Sequence, residues 1–131
     1  MYIGQVYGGP ELKGSRIDRV LAKVTRLVGE GEEGAFGSLD VVFHVPGSIG
    51  APEHTGIRTG RFSKRERMLM LQIAVPREVL TKEEPEIEEF VMASLNEVVR
   101  LATPVFQRAG IPYKEQEYLS LLEGIKAAIT H

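Results

Sequence analysis

The side chains that could do chemistry in this chain are few, and they cluster in one short stretch. His54 follows Glu53 in the glycine- and proline-rich segment 46–56, and Arg58 and Arg61 lie just beyond. A histidine can act as a general base near neutral pH and two arginines can clamp an anion, so the loop 46–61 could serve a small-ligand site or an enzyme. As sequence neighbours, however, Glu53 and His54 point in divergent directions, and they lack the i, i+4 spacing of a helical metal pair. No serine sits in a G-x-S-x-G elbow that would employ the histidine. Of the other histidines, His44 falls on the less apolar face of a strand, where a surface or hydrogen-bonded role accounts for it, and His131 is terminal.

Phosphate chemistry fares no better. Gly8-Gly9-Pro10 follows an apolar strand, but Lys13-Gly14-Ser15 reverses the lysine and glycine that a phosphate loop needs. The free amides at the start of the following helix, beside Arg16, could still hold a small anion. With no cysteine, thiolate chemistry, disulfides and sulfur-ligated zinc are excluded. No cofactor or metal is implied.

The strongest signal is a charge pattern over 57–75. Arg58, Arg61, Lys64, Arg65 and Arg67 against Glu66 give this segment +4, in a chain whose total is −2. It runs directly into Met68, Leu69, Met70, Leu71, Ile73, Ala74 and Val75, a sequence that reads as a strand buried on both faces. A cationic surface is thereby anchored to the core. Three uses compete for it: gatekeeper charges beside an aggregation-prone strand, a surface for an acidic protein, or nucleic-acid binding through 58–67. The acidic overall balance, the few aromatic residues and the lack of any reader motif weigh against nucleic acid. Residues 82–90 carry five glutamates against Lys82, a local −4 that suits a helix start.

The elements that must position these residues follow from periodicity. Tyr2–Tyr7 reads as a first strand. Ser15 is a plausible N-cap for Arg16–Val28, whose Ile17, Val20, Leu21, Val24, Leu27 and Val28 form one apolar stripe ending at Gly29. Residues 30–37 read as a surface loop, and 39–45 alternate as a half-buried strand. The loop 46–56 is longer than a hairpin needs. A short strand over 57–62, a turn at 63–66 and the apolar strand before Pro76 come next. Two helices close the chain, the first kinked or ended by Pro104 near Thr103 and separated from the second by Gly110-Ile111-Pro112.

The predicted order is β-α-β-β-β-α-α. It implies an α+β domain spanning 1–131: a mixed four-stranded sheet with a parallel crossover, an antiparallel meander of the last three strands, and the helices packed on one face. At 131 residues the chain buries roughly two thirds of its unfolded surface, enough to fold without staples. No membrane-length apolar run and no signal peptide are visible, and the lack of cysteine favours a reducing cytoplasm.

The layout of an aromatic first strand, an amphipathic helix, VVFHVPGSIG, then GIRTGRFSKRERMLMLQIAVP and a glutamate-started helix resembles the small α+β bacterial immunity proteins of polymorphic and contact-dependent toxin systems. The resemblance covers most of the chain and rests on size and layout. It implies a non-catalytic cytoplasmic protein that neutralises a cognate toxin domain by direct binding. Residues Glu53, His54, Arg58, Arg61, Lys64 and Arg65 are the expected partner-binding set, chosen from the charge pattern and the long loop. A non-catalytic homo-oligomeric module, a homodimer among its forms, that uses the open sheet face is a rival reading.

Overall fold

Met68–Ala74 is the strand around which the sheet is built. The computed structural model describes residues 2–28, 38–46 and 57–130, and within these the side chains of all but residues 2–4 and 58–60. Its strands are β1 (Tyr2–Gly8), β2 (Ser38–His44), β3 (Ile57–Ser63) and β4 (Met68–Ala74). The helices are α1 (Arg16–Val28), α2 (Glu84–Arg108) and α3 (Glu115–Thr130), with short 3-10 turns at Pro10–Leu12 and Arg77–Thr81. The element order and the α+β class match the reading from sequence.

The strand order does not follow the expected meander. It is β1-β2-β4-β3, with β2 parallel to both β1 and β4, and only β3 antiparallel to β4. The apolar run of β4 suits an interior position flanked by a parallel neighbour. β3 carries Arg58 and Arg61 and slips register between Thr59 and Arg61, features that suit an edge. The chain therefore passes from β2 to the far edge and returns through a hairpin, leaving β4 between β2 and β3.

The helices cover one face. Val6, Leu39, Val41, Phe43, Leu69, Leu71 and Ile73 are at most 2% exposed and join a single core with the apolar stripes of all three helices. The other face holds Asp40, Val42 and His44 of β2 with Met68, Met70 and Gln72 of β4. Burial of β4 on both faces is thus only partial: Met68, Met70 and Gln72 remain half-buried while Leu69, Leu71 and Ile73 are sealed.

The helix signals in the sequence have physical counterparts. Ser15 Oγ accepts from the Asp18 amide at 3.3 Å and donates to the Leu12 carbonyl at 2.6 Å, fixing the start of α1. The glutamates opening α2 meet the basic side of α1: Lys23 Nζ lies 2.7 Å from Glu84 and Arg16 lies 3.9 Å from Glu83. The hydrogen bond and charge of Lys23 hold the Glu84 carboxyl below the usual carboxylate range. Pro104 does not end α2, which runs on to Arg108, because Pro104 and Arg100 both face solvent and the carbonyl freed by the proline can be hydrated. Gly29 and residues 30–37 lie outside the described residues.

An aromatic ladder ties the edge strand to the C-terminal helices. Phe62 meets Phe106 edge-on at 6.1 Å, Phe106 stacks on Tyr113 at 5.4 Å, and Tyr113 stacks on Tyr118 at 5.1 Å. The Tyr113 hydroxyl donates to the Val99 carbonyl at 3.0 Å. Burial pushes the Tyr118 phenol up to about 12, and burial raises Tyr113 well above its ordinary value.

Two expectations follow from the packing. Leu71→Ala, at an interior-strand position 1% exposed, should lower unfolding free energy by about 2–5 kcal/mol in chemical denaturation, and a loss below about 1 kcal/mol would contradict its interior placement. Because the folded phenols are raised, the stability they contribute is complete below about pH 10 and is lost as pH climbs toward 12. Absorbance at alkaline pH should accordingly show fewer phenolates in the folded chain at about pH 11 than in the denaturant-unfolded chain.

Candidate functional site

The cations singled out in the sequence converge on the β3–β4 hairpin. Arg61 lies opposite Met70 near the end of β3, and Lys64 and Arg65 occupy the turn that follows; all three are exposed. None forms an ion pair with a described carboxylate. Arg58 lies opposite Gln72 in the backbone register of β3. Glu53 and His54, the proposed base and its neighbour, lie outside the described residues, as does nearly all of the loop 46–61 before β3.

The turn is fixed from three sides. Ser63 Oγ accepts from the Glu66 amide at 3.2 Å. Arg67 adopts a left-handed conformation with φ 55°, and its carbonyl accepts from the Ser38 amide of β2 at 2.7 Å. A left-handed arginine costs about 1–2 kcal/mol relative to ordinary backbone, so the surrounding contacts must compensate. Lys64 and Arg65 are thus displayed from a backbone already ordered by the sheet.

Beside this ridge the open sheet face presents rows of side chains set by strand register. One row runs Gln5, Asp40, Met70, Arg61; the next runs Tyr7, Val42, Gln72. Tyr7 is 36% exposed and Met70 half-buried, so apolar and cationic surface meet edge to edge. Asp40 stands in the middle of this face and forms no side-chain hydrogen bond or ion pair among the described residues, and burial raises its carboxyl pKa. His44, one position beyond Val42 on the same face, is 1% exposed, with Nδ1 3.3 Å from the Val45 carbonyl. It is a buried residue, not a surface one.

The carboxyl ends of β1 and β2 are stitched by the glycine pair. The Gly9 amide donates to the Phe43 carbonyl at 2.8 Å, and Glu11 Oε1 accepts from the Val45 amide at 2.9 Å. A Cβ on Gly9 would stand 2.7 Å from that Glu11 oxygen, and one on Gly8 would press on Leu12 and Leu21 at 3.2–3.3 Å. Gly8 and Gly9 therefore serve close packing. The anion site imagined at the start of α1 is already filled by the chain: the Gly14 amide donates to Asp18 Oδ2 at 3.0 Å, and Arg16 reaches the Lys82 carbonyl at 3.1 Å.

Sequence reading found the cations but passed over Tyr7 and Met70 as a surface beside them, and the half-buried charge of Asp40. The signal was there in the weaker face of β2 and in the methionines alternating with leucines in β4. Among the described residues no group of three or more potential metal ligands forms, and no helix is long and apolar enough to cross a membrane. Comparison with protein-family models, with curated proteins and with solved structures found no match in any of the three.

Asp40 provides a direct check on the face. An acid whose folded pKa is raised disfavours the fold once it ionises, so its contribution is best below its ordinary pKa of 3.8 and worsens as pH rises past it. Asp40→Asn should therefore raise the melting temperature at neutral pH, with the gain shrinking toward about pH 3. A destabilised variant at neutral pH would show that Asp40 has a stabilising partner.

Proposed function

We propose that this chain is a non-catalytic protein-binding module, an immunity protein that neutralises a cognate toxin domain in the bacterial cytoplasm by direct binding. The observation that carries this reading is the immobilised cationic turn abutting an open, half-apolar sheet face. A turn whose backbone is already ordered lowers the entropic cost of association, and its cations steer an acidic partner from a distance. A neighbouring tyrosine and methionines supply the apolar contact area that buried interface centres favour. The layout shared with small immunity proteins supports the same class.

The gatekeeper account explains charge on an edge strand, but not why the turn beyond the strand is held by Ser63, Arg67 and Ser38. Protein binding explains both. The acidic residues of 83–89 offer no rival surface at their start, because Glu83 and Glu84 face Arg16 and Lys23.

Co-expression and purification with the product of the neighbouring gene tests the reading. The double variant Arg61→Glu/Lys64→Glu should slow association about tenfold or more at low salt and reduce its salt dependence, while unfolding free energy changes by no more than about 0.5 kcal/mol. Tight, salt-dependent binding to single-stranded or duplex nucleic acid, lost in the same variant, would overturn the protein-binding reading. An unchanged partner association rate would reduce the turn to solvated charge.

A further inference from the structure

The open sheet face is not flat. Where β1 runs into the Pro10–Leu12 turn, a groove of about 800 Å³ opens between that turn and β4. Its floor is the sheet face at Val42, which is only 7% exposed, Met70 and Gln72, and Tyr7, Gly8, Gly9 and Pro10 line it from the β1 end. The volume lies within the range of sites that take a few apolar groups.

Its charges are unevenly committed. Asp18 reaches the rim, but its Oδ2 is already bonded to the Gly14 amide. Lys13, on the same rim, is exposed and forms no ion pair with a described carboxylate. On the opposite side, Arg61 faces Met70 across the β3–β4 pairing. Neighbouring strands lie about 4.8 Å apart, so Arg61 stands one strand spacing from the floor. The groove thus has a mostly apolar lining interrupted by Gln72, with the exposed Lys13 in that lining and the exposed Arg61 one strand beyond Met70.

From this geometry we infer that the groove is the anchoring subsite for a partner segment carrying a large apolar side chain flanked by carboxylates. The inference deepens the protein-binding reading and rests on it. The apolar anchor covers Val42 and Met70 against Tyr7, and the flanking carboxylates meet Lys13 on one side and Arg61 on the other. The cationic turn steers the partner, and the groove holds it.

The test needs no partner protein. The isotope-labelled chain is titrated by NMR with the capped peptide Glu-Glu-Leu-Phe-Leu-Glu-Glu. The expected result is saturable shifts at the amides of Gly8, Gly9, Lys13, Val42, Met70 and Gln72, with a dissociation constant of about 1 mM or below. Replacing the glutamates by lysine, or Leu-Phe-Leu by serine, should weaken binding about tenfold. Tyr7→Ala and Lys13→Glu, both at exposed positions, should each weaken it about threefold or more with the spectrum otherwise that of a folded chain. The inference is overturned by an absence of saturable shifts, by equal binding of the lysine peptide, by shifts confined to the β3–β4 turn, or by indifference to both variants. A negative titration beside a partner complex sensitive to Arg61 and Lys64 removes the groove and leaves the protein-binding reading. A positive titration with no partner complex does the reverse.

Discussion

Everything on the open face depends on the insertion of β4 between β2 and β3. Parallel pairing with β2 locks β4 into the core through Leu69, Leu71 and Ile73, and antiparallel pairing with β3 brings the cationic hairpin alongside. Strand alternation then sends Met68, Met70 and Gln72 to the opposite face. Register is strongly specified here, because a slip of one residue would bury Gln72 and expose the leucines. A rigid cationic ridge beside a half-apolar surface is the consequence of that single arrangement.

Both sheet edges are managed, each differently. At β1 the Thr25 hydroxyl of α1 bonds the Val6 carbonyl, so a helix side chain occupies part of the free edge. At β3 the irregular register near Arg61 and the arginines themselves oppose strand addition. Association through strand pairing is therefore disfavoured at either end. On the helical side, the Lys23–Glu84 contact joins α1 to the start of α2, and the ladder from Phe62 to Tyr118 ties the edge strand to the C-terminal helices.

Helices were the most legible part of the chain, since the stripe from Ile17 to Val28 and the Ser15 cap are local signals. Strand order was not legible. A β-β-β run with turns between its members looks like a meander, and only the contrast between an arginine-bearing β3 and an apolar β4 hints that β3 belongs outside. The Pro104 stop misled because proline's cost depends on whether the orphaned carbonyl reaches water, which is a tertiary fact. At the site, the cations at 61, 64 and 65 were visible as composition. Their neighbours Tyr7 and Val42 come from strands distant in sequence, and no spacing rule joins them. Nor could the sequence reveal that Asp18 takes up the Gly14 amide or that Arg16 is bonded to the Lys82 carbonyl.

We propose the open face and the cationic hairpin together as one protein-binding surface. Amide hydrogen exchange on the chain alone, and on its complex with the product of the neighbouring gene, measures that surface directly. Slowed exchange over 61–72 and 7–13 in the complex, with α2 and α3 unchanged, is the expected result. Protection confined to α2 and α3, with the hairpin and β1 exchanging as in the free chain, would contradict it.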